Sequence, residues 1–154
     1  TYIGNLPNKF NFENTNHIKP LSGDELSNEI KKNHLYLTGS LNEPSGNHHI
    51  EGAQCGLPVM FIDSGGVIEY CKDFGIEYNL SNLEEKLDYV INNYFIYEKK
   101  MTNYPFNSEI MCSNFLDLFE KMINNKNSIL SSRVIESGSY INEKIYKIKR
   151  KLKN

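Results

Sequence analysis

Tryptophan is absent from this chain of 154 residues, prolines number only 5 and cysteines only 3. No stretch of 18 apolar residues occurs, which argues against a membrane-spanning helix. The first residues lack the basic, apolar and small-residue succession of a secretory signal. Cys55, Cys71 and Cys112 are odd in number and scattered, with neither the look of a disulfide framework nor metal-ligand spacing. A reduced, cytoplasmic setting is the expectation. What remains is ordinary: 39% hydrophobic and 23% charged residues, in a length suited to one domain with a proper core.

Positive charge is scarce where acid is plentiful. The formal net charge is −2, yet residues 124–154 hold eight Lys or Arg against two Glu, a balance of +6. The other 123 residues hold nine basic against seventeen acidic side chains, a balance of −8. A basic tail on an acidic body suits self-docking, an anionic membrane surface or a partner protein. No nucleic-acid partner is expected. Within the tail, Ile141, Ile145, Ile148 and Leu152 recur at helical spacing, so residues 139–152 are expected to form a basic amphipathic helix.

Along residues 1–123 short strands alternate with helices. Tyr2-Ile3, His17 to Leu21, His34 to Thr38, Val59 to Ile62 and Gly75 to Tyr78 read as strands. Helices are expected from Ser22 or Asp24 to Lys32, from a Ser45 cap to Gln54, from Val67 to Asp73, from Ser81 or Asn82 to Asn93, and onward from Ser108. Val59-Met60-Phe61-Ile62 is apolar throughout, the mark of a strand covered on both faces. The expected fold is α/β: a Rossmann-like, doubly wound parallel sheet. In such a sheet ligands bind beyond the carboxyl ends of the strands. The loops after Leu21, over Gly39–Asn47 and over Asp63–Gly66 therefore matter most.

Two of those loops carry the chemistry-bearing residues. Glu43-Pro44-Ser45-Gly46-Asn47 enters a helix that holds Glu51 eight positions later, and Gly65-Gly66 follows the apolar strand. Backbone N–H groups at a helix entry suit a phosphate, and a carboxylate accepts hydrogen bonds from hydroxyls. A nucleotide sugar carries both. His48-His49 is disfavoured as a metal site, because adjacent helical residues diverge and no third ligand is near.

The run Glu43-x7-Glu51, Ala53-x2-Gly56-Leu57-Pro58-Val59 and Ser64-Gly65-Gly66-Val67-x-Glu69 resembles the donor-binding half of GT-B glycosyltransferases. It is most similar to the retaining group 1 enzymes that carry the EX7E motif. The resemblance covers roughly residues 1–123 and implies the C-terminal half of a GT-B fold. It implies a nucleotide-diphosphate sugar as donor and a glycan or lipid as acceptor, as in polysaccharide biosynthesis. Glu43 would be catalytic, near the sugar hydroxyls. Ser45, Gly46 and Asn47, with Gly65 and Gly66, would take sugar and diphosphate. Glu51 would take the ribose, and Pro20 and Leu21 would lie against the base. No metal or other cofactor is implied.

Gly52 stands where the family usually has Ala, a small-for-small change. The usual Arg and Lys of the family's first strand-loop-helix have no counterpart, since Lys9 and Lys19 lie in another context. The expectation is an N-terminally incomplete donor domain lacking its acceptor domain and inactive alone, peripheral at the inner membrane face through its tail. The rival expectation is a non-catalytic nucleotide-sugar-binding module, the donor half of a two-chain transferase.

Overall fold

The computed structural model describes residues 1–132 and Ile145. Two compact units divide the chain, Thr1–Ile110 and Met111–Asn154. In the first unit the elements run β1 (Tyr2–Ile3), β2 (His17–Ile18), α1 (Gly23–Ile30), β3 (Tyr36–Thr38), α2 (His48–Gln54), β4 (Val59–Phe61), α3 (Val67–Cys71), β5 (Ile76–Glu77), α4 (Leu83–Asn92) and α5 (Tyr94–Met101). Helix α6 (Ser108–Asn124) and helix α7 (Lys126–Ser132) follow. The predicted amphipathic helix 139–152 lies, apart from Ile145, outside the described residues.

All described strand pairings are parallel, in keeping with a Rossmann-like α/β fold. The strands form two groups, β1-β2 and β3-β4-β5. Tyr36, Leu37 and Thr38 pair with Val59, Met60 and Phe61, and Met60 and Phe61 pair with Ile76 and Glu77.

Central β4 organises the core. Val59, Met60 and Phe61 are 3%, 0% and 1% exposed, as its unbroken apolar sequence predicts. Strand alternation sends Val59 and Phe61 into a cluster with Ala53, Val67, Cys71 and Met101. Met60 joins Ile76, Tyr78 and Val90 in a second cluster. The sheet is thus packed on both faces, by α2, α3 and α5 residues on one and by α4 on the other.

Helices α1 and α3 end two residues short of expectation, at Ile30 and Cys71, and two larger departures concern α2 and α5. Helix α2 starts at His48 with Asn47 as its N-cap, so Ser45 lies in the entry loop, its N–H 3.4 Å from the Glu43 Oε1 that accepts it. Helix α5 (Tyr94–Met101) occupies residues to which the sequence assigned no element. Asn93 is both the C-cap of α4 and the N-cap of α5, and its Nδ2 donates to the Tyr89 carbonyl at 2.8 Å. One residue therefore separates two helices, with no Gly or Pro to announce the change of direction.

Candidate functional site

The loops after β2, β3 and β4 and the start of α2 hold the predicted residues. Pro20, Leu21 and Glu51 line one cavity of about 770 Å³, together with Thr38, Gly39, Ser40 and His48. These positions lie at the carboxyl ends of β2 and β3 and on the facing turn of α2. Among the described residues, no Lys or Arg lines the cavity.

His48 ties the entry of α2 to the end of β3. Its Nε2 is 2.8 Å from Thr38 Oγ1 and 3.4 Å from Ser40 Oγ. Its ring also covers Gly46: a Cβ there would stand 2.8 Å from the imidazole and 2.9 Å from Glu43 Cγ. Gly46 is thus enclosed by Glu43 and His48, and His48 in turn faces the cavity with Glu51. Residue-type reasoning weighed His48 only as a metal ligand. The polar pair Thr38 and Ser40, ten and eight residues earlier, is the signal for its positioning role. The backbone N–H groups of His48, His49 and Ile50 have no partner within the helix, and no side chain caps them.

Gly65 and Gly66 hold the loop after β4 against the loop after β3. The Gly66 N–H donates to the Glu43 carbonyl at 2.8 Å. Gly65 has φ +64°, and a Cβ on it would collide with the Glu43 backbone, as one on Gly66 would with the Pro44 carbonyl. Ser64 Oγ accepts the Asn42 N–H at 2.6 Å, and Asn42 itself sits in the left-handed region at φ 55°. The Gly-Gly pair therefore places the peptide that carries Glu43.

Beneath Glu51, the Tyr36 ring packs against Gly52 so closely that a Cβ would overlap it. The Tyr36 hydroxyl is pushed up to about 12, chiefly by burial and further by the Glu51 carboxylate. Tyr36 was not anticipated as part of this site. His49, 0% exposed, points away from the cavity group into aromatic surroundings, its ring 5.5 Å from Tyr70 and 5.0 Å from His48. Among the described residues, neither ring nitrogen has a hydrogen-bond partner. Burial and then His48 push its imidazole down to about 4, against an opposing pull from Glu43. Among the described residues, no three His, Cys, Asp or Glu gather as a metal site.

With this geometry in hand, comparison with known proteins is informative. The family model described as "Glycosyl transferases group 1" matches residues 7–107. The chain belongs to the group 1 glycosyltransferases. No curated protein and no solved structure matches it. The match to this glycosyltransferase family spans every loop described above, from the end of β2 to the loop after β4. It makes the chain part of a family of sugar-transferring enzymes. Among the described residues of this glycosyltransferase, no helix is long and apolar enough to cross a membrane.

Proposed function

We propose that the first unit is the donor-binding domain of a GT-B transferase and takes a nucleotide-diphosphate sugar. The observation that carries this reading is the shared cavity: Pro20 and Leu21 on one side and Glu51 on the other, at the carboxyl ends of parallel strands. The base lies along Pro20 and Leu21, and the Glu51 carboxylate accepts the ribose hydroxyls. The N–H groups of Gly46 and Asn47 face the diphosphate and sugar, with Ser45, Gly65 and Gly66 shaping that approach. Glu43 orients the sugar hydroxyls and stabilises positive charge developing on the sugar.

Departure of the nucleotide diphosphate builds negative charge on its terminal phosphate. Donors aimed at developing charge are the strongest catalytic lever in a dry site. Here they are backbone N–H groups, since among the described residues no Lys or Arg lines the cavity. The remaining positive charge comes from outside these residues, with the acceptor domain, and no metal is required. Transfer proceeds with retention to a glycan or lipid acceptor. The basic tail brings the enzyme to the anionic cytoplasmic face of a membrane.

The absence of Lys and Arg from the described lining also favours a second reading, a donor-binding module that catalyses only with a partner chain. Titration of UDP, GDP and their sugars, followed by calorimetry and by amide shifts, tests the donor site itself. Weak binding that shifts Leu21 and Glu51, without transfer by the isolated chain, is the expected result. No binding of any of them at millimolar concentration overturns the proposal.

A further inference from the structure

The imidazole of His48 is anchored at one nitrogen and unengaged at the other. Its Nε2 is the atom that Thr38 Oγ1 and Ser40 Oγ approach, at 2.8 Å and 3.4 Å. Its Nδ1 has no hydrogen-bond partner among the described residues. Thr38 decides which of the two carries the proton. Thr38 is 5% exposed, and a buried hydroxyl places its proton on an acceptor. Its Oγ1 accepts the Ser40 N–H at 3.4 Å, a bond that leaves the hydroxyl proton still to be placed. Among the described residues, the acceptor within reach is His48 Nε2. Nε2 is then the lone-pair nitrogen, and the ring proton sits on Nδ1.

The Nδ1 edge faces the loop that leads from β3 into α2. A Cβ on Gly46 would stand 2.8 Å from Nδ1 and from Cε1, so the missing side chain at position 46 is what lets the ring lie over this loop. Glu43 flanks Gly46 on its other side, and Glu51 lines the cavity together with His48. Two carboxylates repel a diphosphate at close range unless donors hold it. Phosphate oxygens only accept, and an N–H only donates, whereas a hydroxyl can do either. Of the side chains described in the lining, His48 alone offers a ring N–H, and Lys and Arg are absent among them.

We propose that His48 contacts the substrate: its Nδ1–H donates to a diphosphate oxygen of the nucleotide sugar. Thr38 is the positioning residue, which keeps the proton on that nitrogen by donating to the other. The inference rests on the donor-site reading and deepens it, since it names the side chain that holds the diphosphate. Asn and Gln separate the two ring nitrogens. The amide nitrogen of Asn stands as many bonds from Cβ as Nδ1 does, and that of Gln as many as Nε2. Asn at position 48 therefore keeps the donor proposed to meet the diphosphate, and Gln keeps only the group that meets Thr38.

Calorimetry with UDP and with GDP is carried out on the wild-type protein and on His48→Asn, His48→Gln and Thr38→Val. The measurements are made at about pH 8, above the ordinary histidine range. For the diphosphate that the wild type binds, His48→Gln should weaken affinity roughly tenfold or more, the loss of a hydrogen bond to a charged group. His48→Asn should stay within about threefold of wild type. Long-range proton–nitrogen correlation spectra of the imidazole should show the Nδ1–H form in the protein without nucleotide, and the Nδ1 signal should move when the diphosphate is added. In Thr38→Val the Nε2–H form should gain, with affinity falling in step. Wild type that binds neither nucleotide at millimolar concentration overturns the donor reading and this proposal together. Wild type that binds, with His48→Gln equal to it, overturns the role of His48 alone and leaves the donor reading standing. An Nε2–H form in the wild type without nucleotide does the same. Equal losses in His48→Asn and His48→Gln would make the ring a packing element of the loop and also overturn the proposal.

Discussion

The ring of Tyr36 fills the space that any side chain at position 52 would need. Position 52 lies in α2, one residue after Glu51, so the fit of this helix on β3 sets the height of that carboxylate. Gly52 looks like a trivial replacement for the Ala common in this family, but here the two are not interchangeable.

Gly52→Ala should therefore destabilise the protein by about 1–3 kcal/mol, the usual range for overpacking a core. Tyr36→Leu in the same chain should recover a good part of that loss. Urea unfolding of the two single variants and the double variant gives the coupling. Simple additivity would show that the helix shifts to accept Ala and that the ring is no barrier.

Stability should fall in mild acid because of His49. Its imidazole is pushed down to about 4 by burial, whereas an unfolded histidine titrates near 6.5. Between those values the unfolded chain binds more protons than the folded one, so stability drops as pH falls from about 6.5 towards 4. Above that window the contribution is fully present. His49→Leu should flatten this part of the stability profile, measured as denaturation midpoint against pH. An unchanged slope in the variant would assign the acid sensitivity to other groups.

The two glutamates should separate by ligand. Glu51→Ala is expected to weaken UDP or GDP binding by about 1–3 kcal/mol, the range for a hydrogen bond to a charged group. Glu43→Ala should leave binding of the free nucleotide nearly unchanged and reduce turnover in an enzyme assembled with an added acceptor domain. Calorimetry with each variant checks the first half, and equal losses for both would reverse the roles proposed for them.

Gly65→Ala should damage the site from the opposite loop. The residue has φ +64° and its added Cβ meets the Glu43 backbone. Left-handed backbone strain of this kind costs about 1–3 kcal/mol. Amide shifts of Asn42 to Gly46 should move even though the substitution lies some twenty residues away. Shifts confined to residues 63–68 would show the loops to be independent.

Much of this was legible in the sequence, for reasons particular residues supply. The unbroken Val59–Phe61 run announced a strand buried on both faces, and the Asn82 position announced the start of α4. Helix α5 was missed because Tyr94, Phe95, Ile96 and Tyr97 are apolar all round and show no preferred face. The start of α2 was misplaced because Ser45 and Asn47 are about equal as capping residues by type, and the loop from Asn42 to Asn47 is shaped by contacts to Ser64, Gly65 and Gly66. The partnership Tyr36–Gly52 joins residues 16 positions apart on different elements, and local pattern carries no trace of it. The division of the strands into two groups is likewise a matter of long-range pairing.

The bond from Gly66 N–H to the Glu43 carbonyl, and that from Asn42 N–H to Ser64, have a thermodynamic consequence. Ordering a free backbone opposes association by about 1–2 kcal/mol per residue. The peptide carrying Glu43 is already fixed by β4, whose pairing with β3 forms when the core forms. That entropy is surrendered in folding, and a ligand arriving later meets a rigid rim. Affinity at this loop is then set by the stability of the sheet behind it as much as by the groups it presents.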